Sequence, residues 1–241
     1  MDEKIFERVE KKYLIDAAQK AEILRAVERK MKPTNYHKSK VMNIYFDTDN
    51  YDFIIKSIEK PEFKQKLRAR SYGGFNKVFL EIKTKMRGKD YNVGYKRRVL
   101  ITRKDFDKLI KREASVVKLA EQKIEKADDV QIAKEVDYMI NLFDLSPKIL
   151  VYYDRTSYSG ENNLRLTFDE NLKYRDKNLK FTRNAKDKHY FFDEKNIIME
   201  IKANGVMPLW LVKTLSKAKA YPTSFSKIGK IYGRIRKEKN V

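Results

Sequence analysis

Lys66-Leu67-Arg68-Ala69-Arg70 alternates a cation with an apolar residue along its whole length. Side chains on a β-strand point to opposite faces in turn, and residues two apart stand roughly 6–7 Å from one another on one face. The stretch therefore reads as a strand with one side basic and the other apolar. Working outward, the same division recurs. Arg8, Glu10 and Lys12 oppose Val9, Tyr13 and Ile15, with Lys11 joining the apolar side. Glu81, Lys83 and Lys85 oppose Leu80 and Ile82, and Lys96 and Arg98 oppose Val99 and Ile101. Arg165 and Asp169 oppose Leu164, Leu166 and Phe168, while Glu200 and Lys202 oppose Ile197, Met199 and Ile201.

One such strand is an ordinary sheet element with a wet face. Six with Lys and Arg stacked at every second position pose an electrostatic problem, because like charges that close repel unless a multivalent anion lies between them. The apolar faces also need cover. Strands are expected near 5–15, 40–47, 63–72, 77–86, 92–101, 148–158, 163–172 and 196–203. Helices are expected after Asp16 (Ile23, Leu24, Val27, Met31), after Thr102 (Phe106, Leu109, Ile110), over 119–143, after Pro208 and over Ile228–Ile235, each with apolar residues on one face. If those helices pack outside, the charged faces look inward. The expectation is an α+β chain forming one domain over 1–241, a closed antiparallel β-barrel with a basic tunnel and helices outside.

Composition agrees and excludes. The 241 residues carry 55 Lys+Arg against 34 Asp+Glu, a formal net charge of +21. Hydrophobic residues at 41% are too many for a disordered basic tail. No cysteine is present, which removes disulfides, thiolate metal sites and cysteine nucleophiles together. Met1–Arg8 is charged and has no signal-peptide pattern, and no apolar run is long enough for a membrane helix, so a cytoplasmic location is expected. An anionic partner is implied. Nucleic acid is not the expected one, because the basic residues repeat on strand faces with few aromatics between them for bases to stack on.

Several guanidinium and ammonium groups together suit a polyphosphate chain. Among them Glu10, Glu81 and Glu200 have two readings. They are oxygen ligands for a divalent cation bridging phosphates, or ion-pair partners inside the basic lining.

The ordered motifs Phe6-Glu-Arg-Val-Glu-Lys-Lys12, Tyr45-Phe-Asp-Thr48, Leu67-Arg-Ala-Arg70, Phe79-Leu-Glu-Ile-Lys83, Tyr153-Asp-Arg155, Leu164-Arg-Leu-Thr-Phe-Asp169, Met199-Glu-Ile-Lys202 and Ser224-Phe-Ser-Lys227 resemble the VTC domain. That is the polyphosphate polymerase module related to the triphosphate tunnel metalloenzymes of the CYTH-like superfamily. The resemblance implies a tunnel of about eight antiparallel strands that moves the γ-phosphoryl of ATP onto a growing inorganic polyphosphate chain with Mn²⁺ or Mg²⁺. It also implies that Lys12, Arg68, Arg70, Lys83, Arg155 and Arg165 act on the transferring phosphates. Lys96, Arg98, Lys202 and Lys227 would hold phosphate beside them, as Arg8 and Lys66 would by their place on the same faces. Tyr153 and Ser226 would add hydroxyl hydrogen bonds, and Glu200 would hold the metal, with Glu10 and Glu81 as further candidates.

Two departures stand out. The superfamily's hydrolases carry Glu-x-Glu-x-Lys on the first strand; here Arg8-Val-Glu-Lys-Lys12 replaces a carboxylate by a guanidinium, which removes an expected metal ligand, adds a phosphate ligand and points toward the polymerase branch. Ser224 stands where a basic residue is expected. A tunnel triphosphatase and a non-catalytic polyphosphate-binding module are the competing readings. Any membrane coupling is expected through another subunit. Arg68→Ala and Arg165→Ala are both expected to lose phosphate while the fold survives, through relief of repulsion.

Overall fold

The computed structural model describes residues 8–73, 76–121, 127–182, 189–190, 196–224 and 226–238. In chain order the elements are β1 (Arg8–Ile15), α1 (Ala17–Lys30), β2 (Lys32–Asp47), α2 (Asp52–Glu59), β3 (Phe63–Tyr72), β4 (Lys77–Arg87), β5 (Asn92–Thr102) and α3 (Arg103–Ile110). They continue as α4 (Val116–Glu121), α5 (Ala127–Leu142), β6 (Ser146–Ser159), β7 (Arg165–Arg175), β8 (His189–Tyr190), β9 (Ile197–Asn204), α6 (Leu209–Lys217) and α7 (Lys227–Glu238). The class is α+β. Eight strands follow the hydrogen-bonded order β1-β9-β7-β6-β2-β3-β4-β5, with β8 beside β7. That path has two ends, at β1 and β5. The registers β1–β9, β7–β9, β2–β3, β3–β4 and β4–β5 are all antiparallel.

The chain forms two compact units. The first holds residues 1–40, 153–173 and 190–225, and the second holds 41–152, 174–189 and 226–241. Each has its own core. In the first, Tyr13 and Ile15 of β1, Leu166 and Phe168 of β7 and Met199 and Ile201 of β9 pack with Ile23 and Val27 of α1 and Leu211 and Leu215 of α6. In the second, Ile44, Leu67, Ala69, Leu80, Ile82 and Val99 pack under Phe106 of α3, Leu119 of α4 and Val136 and Met139 of α5. The apolar strand faces are thus covered by helices, as their alternation requires.

Helix starts follow local chemistry. Asp16 and Gln19 form a reciprocal cap at α1, and Thr102 and Asp105 do the same at α3. Helix α2 was not expected from the sequence, because its organising group lies upstream in a strand. The Asp47 carboxylate accepts from the backbone N–H of Thr48, Phe53 and Ile54, each at 2.9 Å, across a turn in which Tyr51 has φ 62°. Strand β2 begins at Lys32 rather than near 40, and the helix expected over 119–143 is two helices, α4 and α5. At the β4–β5 turn Gly88 is required by space, since a Cβ there would lie 2.3 Å from the Tyr91 ring.

Candidate functional site

Strand register sets the basic face of the second unit row by row. Tyr45, Arg68, Glu81 and Arg98 are successive cross-strand partners over β2, β3, β4 and β5. Lys66, Lys83 and Lys96 form the next row over β3, β4 and β5, and Asn43 pairs with Arg70 on the other side. Directly paired residues stand about 5 Å apart at Cβ, so seven of the expected residues share one patch.

The middle row is tied by charge. Arg68 donates from Nε and a terminal nitrogen to Glu81 Oε2 at 2.7 and 2.5 Å. Glu81 is 0% exposed, and Arg70 Nε and Lys96 Nζ each approach to 3.9 Å. Burial pushes the Glu81 carboxyl up, but the charges of Arg68, Arg70 and Lys96 and the Arg68 hydrogen bond hold it below the ordinary carboxylate value. Its Oε1 has no hydrogen-bond partner among the described residues. Glu81 stands here as the counter-ion of the basic face. Arg70 is aimed by Asn43, whose Oδ1 accepts from Nε at 2.7 Å, and it reaches the Tyr72 hydroxyl at 3.0 Å. Arg98 lies over the Phe79 ring, 4.6 Å from its centroid.

Asn43 went unnoticed in the sequence, and Tyr45 figured there only as part of a motif with no role of its own, although both alternate with the buried Met42, Ile44 and Phe46 as the basic face demands. Burial opposes ionisation of the Tyr45 phenol, but Arg68, Lys66 and Arg70 hold it below the ordinary tyrosine value.

The first unit carries the second patch. Glu10, Lys202 and Arg165 form one row over β1, β9 and β7, and Lys12, Glu200 and Thr167 form the next. Lys202 Nζ sits 2.7 Å from Glu200 and 3.5 Å from Glu10, and Lys12 Nζ lies 3.5 Å from Glu10. Burial raises the Glu200 carboxyl, but Lys202, Lys12 and Arg155 hold it low. Arg155 closes on Asp169 with two hydrogen bonds of 2.6 and 2.8 Å, and Tyr153 stands below it with the guanidinium 5.3 Å from the ring centroid. The side chain of Arg8 lies outside the described residues. Ser226 caps α7 by accepting from the Gly229 N–H at 3.3 Å, with Lys227 opening the helix, so these two sit on a helix and not on the strand rows.

Among the described residues no three carboxylate or imidazole groups gather into a metal centre. Glu200 and Glu10 share Lys202, and the Thr167 hydroxyl beside Glu200 is buried without a hydrogen-bond partner among the described residues. Two carboxylates and a hydroxyl are hard oxygen donors that fit Mn²⁺ or Mg²⁺, provided substrate oxygens and water complete the shell. Glu81 is held instead by Arg68.

The model of the VTC domain family matches residues 7–232. The chain belongs to that family. Vacuolar transporter chaperone complex subunit 4 of Schizosaccharomyces pombe is 26% identical to this VTC domain over 144 residues, 55% of the chain and 20% of the relative. The match thus spans about a fifth of that relative's length. Among solved structures, a Hippeastrum protein named for adenylyl cyclase and described as having a dominant triphosphatase activity superposes with a TM-score of 0.52 at 15% identity. The superposition covers 91% of this chain and 92% of the other, and it shows a shared fold. No helix among the described residues is long and apolar enough to cross a membrane.

Proposed function

We propose that this VTC domain is a polyphosphate polymerase, transferring the γ-phosphoryl group of ATP to the end of an inorganic polyphosphate chain in a closed basic tunnel. The observation that carries the reading is the row Lys66–Lys83–Lys96, three directly paired lysines beside the Arg68–Glu81–Arg98 row. Such a surface is suited to successive phosphates of one chain and exceeds what a single phosphate needs.

In the reaction a terminal oxygen of the acceptor chain forms a bond to the γ-phosphorus. The bond from that phosphorus to the β–γ bridging oxygen breaks, and ADP leaves with the electron pair. The acceptor oxygen is already anionic, so no Ser, Cys or His nucleophile is needed. Catalysis is positioning and charge neutralisation. Arg68, Arg70 and Lys83 are assigned to phosphate oxygens on the face of the second unit, and Lys12, Arg155 and Arg165 to phosphate oxygens on the face of the first. Lys66, Lys96, Arg98, Lys202 and Lys227 hold the flanking phosphates. Asp169 fixes the plane of the Arg155 guanidinium, and Asn43 that of Arg70. Glu200, with Glu10 and Thr167, would hold a Mn²⁺ or Mg²⁺ ion, which supplies charge neutralisation at the bridging oxygens. Assembly with further subunits, named for the S. pombe relative, belongs to the same proposal.

The test is incubation with ATP and Mn²⁺ followed by gel analysis. Long, acid-labile chains with release of ADP are expected. Free phosphate without polymer would make the domain a triphosphatase, and tight polyphosphate binding with no ATP consumed would make it a binding module.

A further inference from the structure

The basic face of the second unit continues past the residues given a role above. One row beyond Lys66–Lys83–Lys96, Lys64 pairs with Lys85, and Lys85 pairs with Gly94 on β5. Arg87 follows two residues further along β4, opposite Asn92, and its backbone N–H reaches the carbonyl of Glu62 at 2.7 Å.

Three observations set this end of the sheet apart. The row with Arg68 has the buried Glu81 as its counter-ion, whereas Lys60, Lys64, Lys85 and Arg87 make no ion pair among the described residues. The Lys64 ammonium is half-buried and donates to the Ser57 carbonyl at 3.0 Å, while burial and the charges of Lys85, Arg87 and Lys60 push its pKa down. On β5 the row ends in bare backbone. A Cβ on Gly94 would meet only the Thr84 carbonyl oxygen, at 3.8 Å, so space stands open where a side chain would complete the row. Like charges paired directly across strands are unfavourable on their own, and a polyanion lying over them reverses the sign.

Successive rows on one face are about 6.8 Å apart along the strands. A linear phosphate chain running along β3 and β4 from the Arg68 row crosses the lysine row and then reaches Lys64 and Lys85. A triphosphate seated at the Arg68 row ends before it gets there. We propose that Lys64, Lys85 and Arg87, with Lys60, form a distal subsite that binds the extended part of a polyphosphate chain. The subsite rests on the reading of the basic face as a polyphosphate site, and it does not depend on catalysis.

The test compares linear tripolyphosphate with long-chain inorganic polyphosphate, titrated calorimetrically into the whole domain. Wild type, Lys64→Ala/Lys85→Ala and Lys85→Gln/Arg87→Gln are measured at two salt concentrations. Each double variant is expected to weaken long-chain binding about tenfold, to leave tripolyphosphate within about twofold, and to flatten the salt dependence for the long chain. Equal losses for both ligands, or no loss for either, would overturn the subsite. So would variants that lose an oligonucleotide but keep long polyphosphate. A wild-type domain that binds both ligands and makes no polymer overturns the polymerase and supports the subsite if the chain-length difference holds. A wild type that binds neither overturns both.

Discussion

Arg68 and Glu81 face each other across β3 and β4, and the guanidinium closes on one carboxylate oxygen while the other oxygen is buried without a donor among the described residues. The pair is a structural brace within the face proposed to hold phosphate. That changes what a substitution there does.

Arg68→Ala leaves Glu81 buried with only the 3.9 Å approaches of Arg70 and Lys96, and removing one member of a buried pair costs about 3 kcal/mol. Charge repulsion alone predicted survival or stabilisation for Arg68→Ala and Arg165→Ala alike. Arg165 is exposed, so Arg165→Ala should keep wild-type stability and lose phosphate affinity. Chemical denaturation of both variants checks the contrast; equal midpoints would show that the brace contributes nothing.

Glu81 and Glu200 both titrate below the ordinary value of 4.5 in the folded domain. A depressed folded pKa stabilises the fold fully above 4.5, and this contribution is lost as the pH falls through the lower folded value. Urea midpoints should therefore drop on acidification below pH 4.5. In Glu81→Gln that acid-side slope should be shallower, although the variant starts from lower stability. An unchanged slope would assign the acid sensitivity to other carboxylates.

Metal dependence locates Glu200. With Glu200→Gln, the Mn²⁺ concentration giving half-maximal polymer synthesis should rise roughly tenfold, the size of effect that loss of one charged ligand contact brings. Manganese titration of ATP consumption measures it, and an unchanged curve would leave Glu200 as a partner of Lys202 alone.

Tyr45 offers an optical probe. Its phenol is held below the ordinary value of 10.0 by Arg68, Lys66 and Arg70, so tyrosinate absorbance should appear at lower pH in wild type than in Tyr45→Phe. Tripolyphosphate neutralises those cations and should abolish the difference. A difference that persists with ligand bound would place the phosphate away from this row.

Strand alternation made most of this legible. Lys66, Arg68 and Arg70 sit on one face and Leu67 and Ala69 on the other because period two is a property of the backbone itself. What stayed hidden depends on neighbours distant in sequence. The role of Glu81 follows from register with Arg68, and Asp169 acquires its role from Arg155 on another strand. The sequence left Glu81 balanced between metal ligand and counter-ion, and only the distances weight it toward the second. Thr167 was unremarkable until the row Lys12–Glu200–Thr167 set its hydroxyl beside a carboxylate. Helix α2 escaped because eight residues with a cap supplied from the preceding strand carry too little period to read.

The Asp47 cap has a consequence for how variants of this domain would be interpreted. It fastens α2 to the end of the strand that carries Tyr45, and α2 in turn packs on α7, where a Cβ on Gly229 would crowd Ile58 at 3.2 Å. Tyr45 and the helix start bearing Lys227 therefore share one support. In a genetic screen scored by polymer content, a lesion at Asp47 or Gly229 would be grouped with the arginines proposed to bind phosphate, although neither residue is among those proposed to hold it. Folding assays run beside the activity score would separate the two classes.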